Sequence, residues 1–292
     1  MFFDILVSGI LLGGIYSLVS IGLNLIFGVL RIVNFAHGEF VMLAMYATYF
    51  MVTTLGIGPY FAVGLVAPLL FVLGLLVQRL VLQPLQGEAM MQVFATFGLL
   101  IILENLILAL TRGQGLSLAS ASDVIDVLGL KASLSRVIVL AVATLIGLAL
   151  VYFLSRTMAG KAIRAVIQDR QAARLMGINV EKTYLLTFAL GSALAGVAGA
   201  LLTPIYTLSP TVGGNFILAA FAVVVLGGLG SVPGAYFGGL LVGVIETFAG
   251  YYVDPALKQA VWFLIFVAFL ILRPSGLMGQ VGAEEVGLRA QT

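Results

Sequence analysis

The stretch RIVNFAHGEFVML, Arg31 to Leu43, gathers Arg31, an amide, a carboxylate and the chain's single histidine between apolar runs. Asn34, His37 and Glu39 are the residue types that relay protons or hold a coupling ion. Ionisable groups at membrane depth are costly and are functional candidates by default. His37 and Glu39 are two apart, however, so on a helix they do not share a face, and a relay would need them to meet. Gly38 between them and Asn34 before them suggest a break in the helix. Non-helical backbone at that depth is tolerated only where protein or a water-filled cavity satisfies it. The opposing reading is a helix cap near the membrane interface, with His37 neutral and hydrogen-bonded. The residues favour a structural role.

Two more carboxylates lie in apolar surroundings: Glu104, beside Asn105 in LLIILENLILAL, and Glu246 in LLVGVIETFAG. Both are expected to face the protein interior and find a polar or basic partner, although Glu246 could equally lie at the outer interface. Other chemistry is argued against. There is no cysteine, hence no disulfide or thiolate site, and one histidine makes a zinc site improbable. Gly160-Lys161 is followed by Ala162 and lacks the spaced glycine of a P-loop. No nucleophile–base pair stands out. The expectation is a non-enzyme with no catalytic residue, metal or cofactor of its own. If transport is driven by ATP, another subunit must hydrolyse it. A net charge of +2 is too small to suggest nucleic acid.

The elements that hold these residues are set by composition. The chain is 62% hydrophobic and 9% charged, against about 25% charged in a soluble domain. Long apolar runs recur from end to end, which predicts an all-α polytopic membrane protein with eight to ten transmembrane helices, some of them broken. The alternation of a β-barrel is absent. The expected spans are 4–28, 38–55, 60–82, 90–110, 134–155, 183–204, 213–229, 234–252 and 257–272. The first is read as a span and not a cleaved leader, because it lacks a basic flank. One side then holds Arg31, Arg79, Arg156, Lys161, Arg164, Arg170, Arg174, Lys182, Arg273 and Arg289, and the other only Arg112, Lys131, Arg136 and Lys258. The richer side should be cytoplasmic, with the N-terminus outside, the C-terminus inside, loop 156–182 inside and loop 111–133 outside. The outer loop carries Asp123 and Asp126 and should form a short surface element. Small residues recur four apart at Gly9, Gly13 and Ser17, at Gly191, Ala195 and Gly199 with Ser192, Gly196 and Ala200 beside them, and at Gly239 and Gly243. These are read as close helix packing. Val225 to Gly239 reads as a tight turn, with Pro233 starting the next helix.

The exception to the apolar rule is GKAIRAVIQDRQAARLMGIN. Lys161, Arg164, Gln168 and Gln171 recur at helical spacing, Ile163, Val166 and Ile167 fall on another face, and Gly177 is placed to stop the helix. The spacing predicts one short amphipathic surface helix over 160–177, either resting on the membrane or docking a partner.

QAARLMG, Gln171 to Gly177, is similar to the E-A-A-x-x-x-G loop of ABC importer permeases, with Gln171 in place of Glu and no downstream I-x-L-P. Together with IVNFAHGEF near the start, VVLGGLGSVPGA at Val224 to Ala235, and PSGLMG at Pro274 to Gly279, it makes the whole chain resemble the branched-chain amino acid ABC transporter permease family. That resemblance implies a single permease domain over 1–292 in a bacterial cytoplasmic (inner) membrane, with 156–182 as the coupling loop. It implies a homologous second permease subunit, two cytoplasmic ABC ATPases that hydrolyse ATP, and an extracytoplasmic binding protein. Lys161, Arg164, Asp169, Arg170, Ala172, Ala173 and Gly177 would serve coupling. Asn34, His37, Glu39, Glu104 and Glu246 are the candidates for the translocation path. Substrates include branched-chain amino acids, urea, short amides or other amino acids. The alternative is an ion-coupled secondary transporter built on Asn34, His37 and Glu39.

Overall fold

A computed structural model describes residues 2–118, 124–127, 130–272 and 276–278. They form eleven helices and one hairpin: α1 Phe2–Leu30, α2 His37–Leu55, α3 Pro59–Val77, α4 Ala89–Thr111, β1 Val124–Val127, β2 Leu130–Ser133, α5 Leu134–Arg156, α6 Met158–Gln168, α7 Arg170–Leu175, α8 Val180–Leu202, α9 Val212–Gly227, α10 Val232–Tyr252 and α11 Lys258–Leu272. The chain is a polytopic helical membrane protein. Seven helices are long and apolar enough to cross a bilayer, while α9 and α11 are apolar but shorter. A π turn over Gln78–Leu82 and a 3₁₀ turn over Gln83–Leu85 extend α3. The expected outer surface element is the antiparallel β1–β2 hairpin, with Val124 opposite Ser133. Ser120, Asp123, Arg273, Pro274 and Arg289 lie outside the described residues.

Two faces organise the bundle, a hairpin face and a basic face that carries α6 and α7. α1 and α8 form its centre: 78% and 67% of their spans are buried, against 17% for α4 and 22% for α5. Small residues make this density attainable. Gly9 and Gly13 lie backbone to backbone against Gly239, Leu240, Gly243 and Val244 of α10, and Ser17 Oγ donates to the Tyr236 carbonyl at 2.7 Å. α8 uses three sides: Gly191 meets Gly22 and Ile26 of α1, Gly196 meets Ala67 and Leu70 of α3, and Gly199 meets Val41 and Ala44 of α2. Close backbone approach is what joins helices in lipid, where the hydrophobic effect offers no drive.

Helix ends follow local sequence. Thr157, Asp169, Asn179 and Ser231 cap α6, α7, α8 and α10 by accepting from backbone N–H groups within their first turns. The turn before α10 uses positive φ at Gly228 and Gly230, and Pro233 sits in the first turn of α10. Asn24 ties this turn to α1, its Nδ2 donating to the Ser231 carbonyl at 2.5 Å and its Oδ1 accepting from Gly230 N at 2.7 Å.

Candidate functional site: a mid-depth helix junction and a basic surface pair

α1 ends at Leu30, and Arg31 adopts φ 58 to turn the chain back into the bundle. Arg31 to Ala36 are not helical. Six residues of extended chain reach roughly 20 Å, and this segment climbs to the level of Val19, where the His37 ring meets the Val19 carbonyl through Nε2 at 3.1 Å. Val19 stands about 16 Å from Leu30 along α1 at 1.5 Å per residue. The cluster therefore lies near mid-depth, which corrects the interfacial-cap reading. A break this deep needs polar partners, and the bundle supplies several. Thr96 of α4 accepts from Phe35 N at 3.3 Å and contacts the Val33 carbonyl at 3.3 Å, and Asn34 Oδ1 accepts from Ala36 N at 3.2 Å.

α2 starts at this depth and runs to the hairpin face. α9 starts beside it and runs to the basic face. Their N-termini touch: a Cβ on Gly38 would collide with the Gly213 carbonyl oxygen, and one on Gly213 would strike the Glu39 carboxylate. Helix N-termini present unpaired N–H groups and partial positive charge, which suits the carboxylate held between them. Asn34, His37 and Glu39 are all buried, at 0%, 0% and 1% exposure. His37 points to α1 and Glu39 to α9, so the two do not meet. Asn34 Nδ2, His37 Nδ1 and Glu39 Oε2 have no protein partner among the described residues. Glu104 is half-buried on α4, close enough for its charge to act on Glu39. Glu246 belongs to a different place. It is buried on α10, accepts from Tyr16 Oη at 2.6 Å and pairs with Lys258 Nζ at 3.2 Å.

The basic surface element is two helices, not the single one expected. Asp169 adopts φ −155 and ends α6; its Oδ1 then accepts from Gln171 N at 2.7 Å and Ala172 N at 2.9 Å, starting α7. The stop at Gly177 has φ 81, with Ile178 N bonding the Ala173 carbonyl at 3.0 Å. Lys161, Arg164, Gln168, Gln171 and Ala172 are exposed. So are Met158, Leu175 and Met176, at 80%, 88% and 82%. Ala173 is buried, and Arg170, although exposed, donates to the Leu30 carbonyl at 3.0 Å and lies over the Tyr184 ring. Arg31 donates in return to the Ile167 carbonyl at 3.3 Å. The pair is thus pinned to the end of α1 from both sides.

The description "Branched-chain amino acid transport system / permease component" fits residues 5–270. The chain belongs to this permease family. It is 31% identical to the high-affinity branched-chain amino acid transport system permease protein LivH of Escherichia coli (strain K12), over 96% of each chain. LivH of Salmonella typhimurium matches equally, and BraD of Pseudomonas aeruginosa, with the same description, is 32% identical over 96% of this chain and 97% of its own. No solved structure matches it.

For a member of this permease family, several positioning residues carried no advance signal in sequence. Thr96 and Asn24 are single polar residues in apolar helices. Gly213 is one glycine among 35. Arg31 belongs to the polar cluster of RIVNFAHGEF, and its place directly after a long apolar run is the available clue to a turn that inserts its side chain under α6.

Proposed function

We propose that the chain is the permease subunit of an ABC importer for branched-chain amino acids or related small polar solutes. Its basic face is cytoplasmic, with the N-terminus outside and the C-terminus inside, in a bacterial inner membrane. Residues 1–292 act as one permease domain, 111–133 as an extracytoplasmic loop and 156–182 as the coupling loop. A homologous permease completes the path, an extracytoplasmic protein delivers substrate, and two ATPases hydrolyse ATP.

The observation that carries this reading is the pinning of α6 and α7 to α1. The pair presents Met158, Leu175 and Met176 to solvent amid Lys161, Arg164 and Gln171. Large apolar side chains so exposed, rimmed by charge, suit a protein partner. A force on the pair passes through Arg31 and Arg170 to the end of α1, and α1 holds His37 at the start of α2. The α2–α9 junction is then the element whose opening the partner controls.

The test is reconstitution with the partner subunits in proteoliposomes. Leucine uptake should require enclosed ATP and persist without any ion gradient. Leu175→Asp and Met176→Asp should abolish ATPase association while the permease stays in the membrane. Uptake driven by a proton or sodium gradient without ATP would instead establish ion coupling through Asn34, His37 and Glu39, and unaltered ATPase binding in both variants would remove the docking role.

A further inference from the structure

Glu246 and Lys258 line a chamber that the junction and the basic pair do not use. It encloses about 740 Å³ between α1, α9, α10, α11 and the first turn of α5, within the range of small-molecule sites. Its walls are apolar at Leu12, Val212, Phe216 and Phe263. Its polar groups are unbalanced. The Glu246 carboxylate is already neutralised by Lys258, with Tyr16 donating to it. Arg136 also lines the chamber and has no hydrogen bond or ion pair with a described residue. Trp262 adds its ring to the apolar wall; it is 7% exposed, and its Nε1 is buried away from the chamber. A guanidinium is built to grip carboxylates.

We propose that this chamber is a substrate-binding site in the permease itself, taking a branched-chain amino acid by its carboxylate on Arg136, with the branched side chain among the apolar walls. The floor is the first turn of α9, with Val212 on the chamber side and Gly213 against Glu39. Occupancy therefore bears directly on the α2–α9 junction. The inference rests on the importer reading and adds a site to it.

The test uses the full permease–ATPase assembly in phosphatidylcholine nanodiscs without binding protein, and measures tritiated leucine binding by scintillation proximity. Leucine should bind saturably. 4-Methylpentanoate, which keeps the carboxylate, should compete, and leucinamide, which lacks it, should not. Arg136→Gln should weaken leucine at least tenfold, with the melting temperature unchanged. Absence of saturable binding, equal competition by leucinamide, or an Arg136→Gln affinity within twofold of wild type would overturn the assignment. So would a lipid occupant, seen as phosphatidylglycerol retained by wild type and lost in Arg136→Gln with leucine binding unaltered. ATP-driven leucine uptake that is normal in Arg136→Gln leaves the importer reading standing and removes only this site. Failure of wild type to import any branched-chain amino acid with ATP and binding protein removes both.

Discussion

Gly38→Ala tests the junction between the starts of α2 and α9. The added methyl would overlap the Gly213 carbonyl oxygen and lie 2.9 Å from the Gly213 carbonyl carbon and 3.0 Å from Ile217 Cβ. These are mostly backbone atoms of a packed helix, with no flexible side-chain end to swing aside. The N-termini of α2 and α9 must separate by about 1 Å to restore ordinary contact, which forfeits a quarter to a half of each affected dispersion contact. Overpacking of this kind costs about 1–3 kcal/mol, and backbone on both sides places Gly38 at the upper end. Alanine's better helix propensity returns about 0.5–1 kcal/mol. The net is a loss of about 2 kcal/mol. Gly214→Ala is the control: it makes the same change in the first turn of α9, and its Cβ meets nothing within 4 Å. Only the propensity gain remains there, so it should be neutral or slightly stabilising. The assay is thermal unfolding in detergent followed by uptake in proteoliposomes. Gly38→Ala should melt several degrees lower and transport at least tenfold more slowly, and Gly214→Ala should match wild type. Equal behaviour of the two would show that the helix starts are not in rigid contact, and the junction would lose its place in the mechanism.

Other outcomes follow from the same geometry. Asn24→Leu removes both side-chain bonds to the turn before α10. Two half-buried backbone groups lose their partner, so the variant should lose about 1–3 kcal/mol, read as a lower melting temperature, with Asn24→Asp intermediate because it keeps the acceptor for Gly230. Gly177→Val should cost roughly 1 kcal/mol or more, because φ 81 is unfavourable for a β-branched residue; together with Ala172→Asp it should cut binding-protein-stimulated ATP hydrolysis without lowering membrane content, and normal stimulation in both would count against coupling at α7. The chain has no cysteine, so single cysteines report topology cleanly: Ser117→Cys should react with a membrane-impermeant maleimide in intact cells and Gln171→Cys only after permeabilisation, and the reverse order would invert the proposed orientation.

Much of this fold was legible because its determinants are local. Each of the nine expected spans coincides with a helix to within a few residues, since an apolar run of that length leaves the backbone no other way to satisfy its polar groups. The stripe at Gly9 and Gly13 was readable as packing for the same reason, although its partners at Gly239 and Gly243 were not: pairing across more than 200 residues has no local signature. The level of His37 in the bundle is not legible because sequence measures distance along the chain. Six residues lie between Leu30 and His37, and whether they stay at the surface or climb back into the bundle depends on Thr96 of α4, which no spacing rule connects to them. The split at Asp169 was hidden for a related reason. The polar periodicity runs unbroken from Lys161 to Gln171, but an aspartate followed by two free backbone N–H groups is a capping position, and that signal outweighs the pattern.

The candidate residues separate by what they touch. Glu246 was grouped with Asn34, His37 and Glu39 as an intramembrane polar group, yet its partners are Tyr16 and Lys258. What joins the two places is α9, whose first turn presents Val212 to the chamber and Gly213 to Glu39. α1 meets the same junction from the other side through Val19 and His37, and its lower end is fastened to α6 and α7. Substrate on the hairpin side and force on the basic side would therefore act on one packed point, where Gly38 and Gly213 leave no slack. A mechanism of this kind predicts that changes at the junction alter the coupling between the two ends before they alter either end alone. Gly38→Ala should accordingly weaken stimulation of ATP hydrolysis by loaded binding protein more than it weakens ATPase association itself.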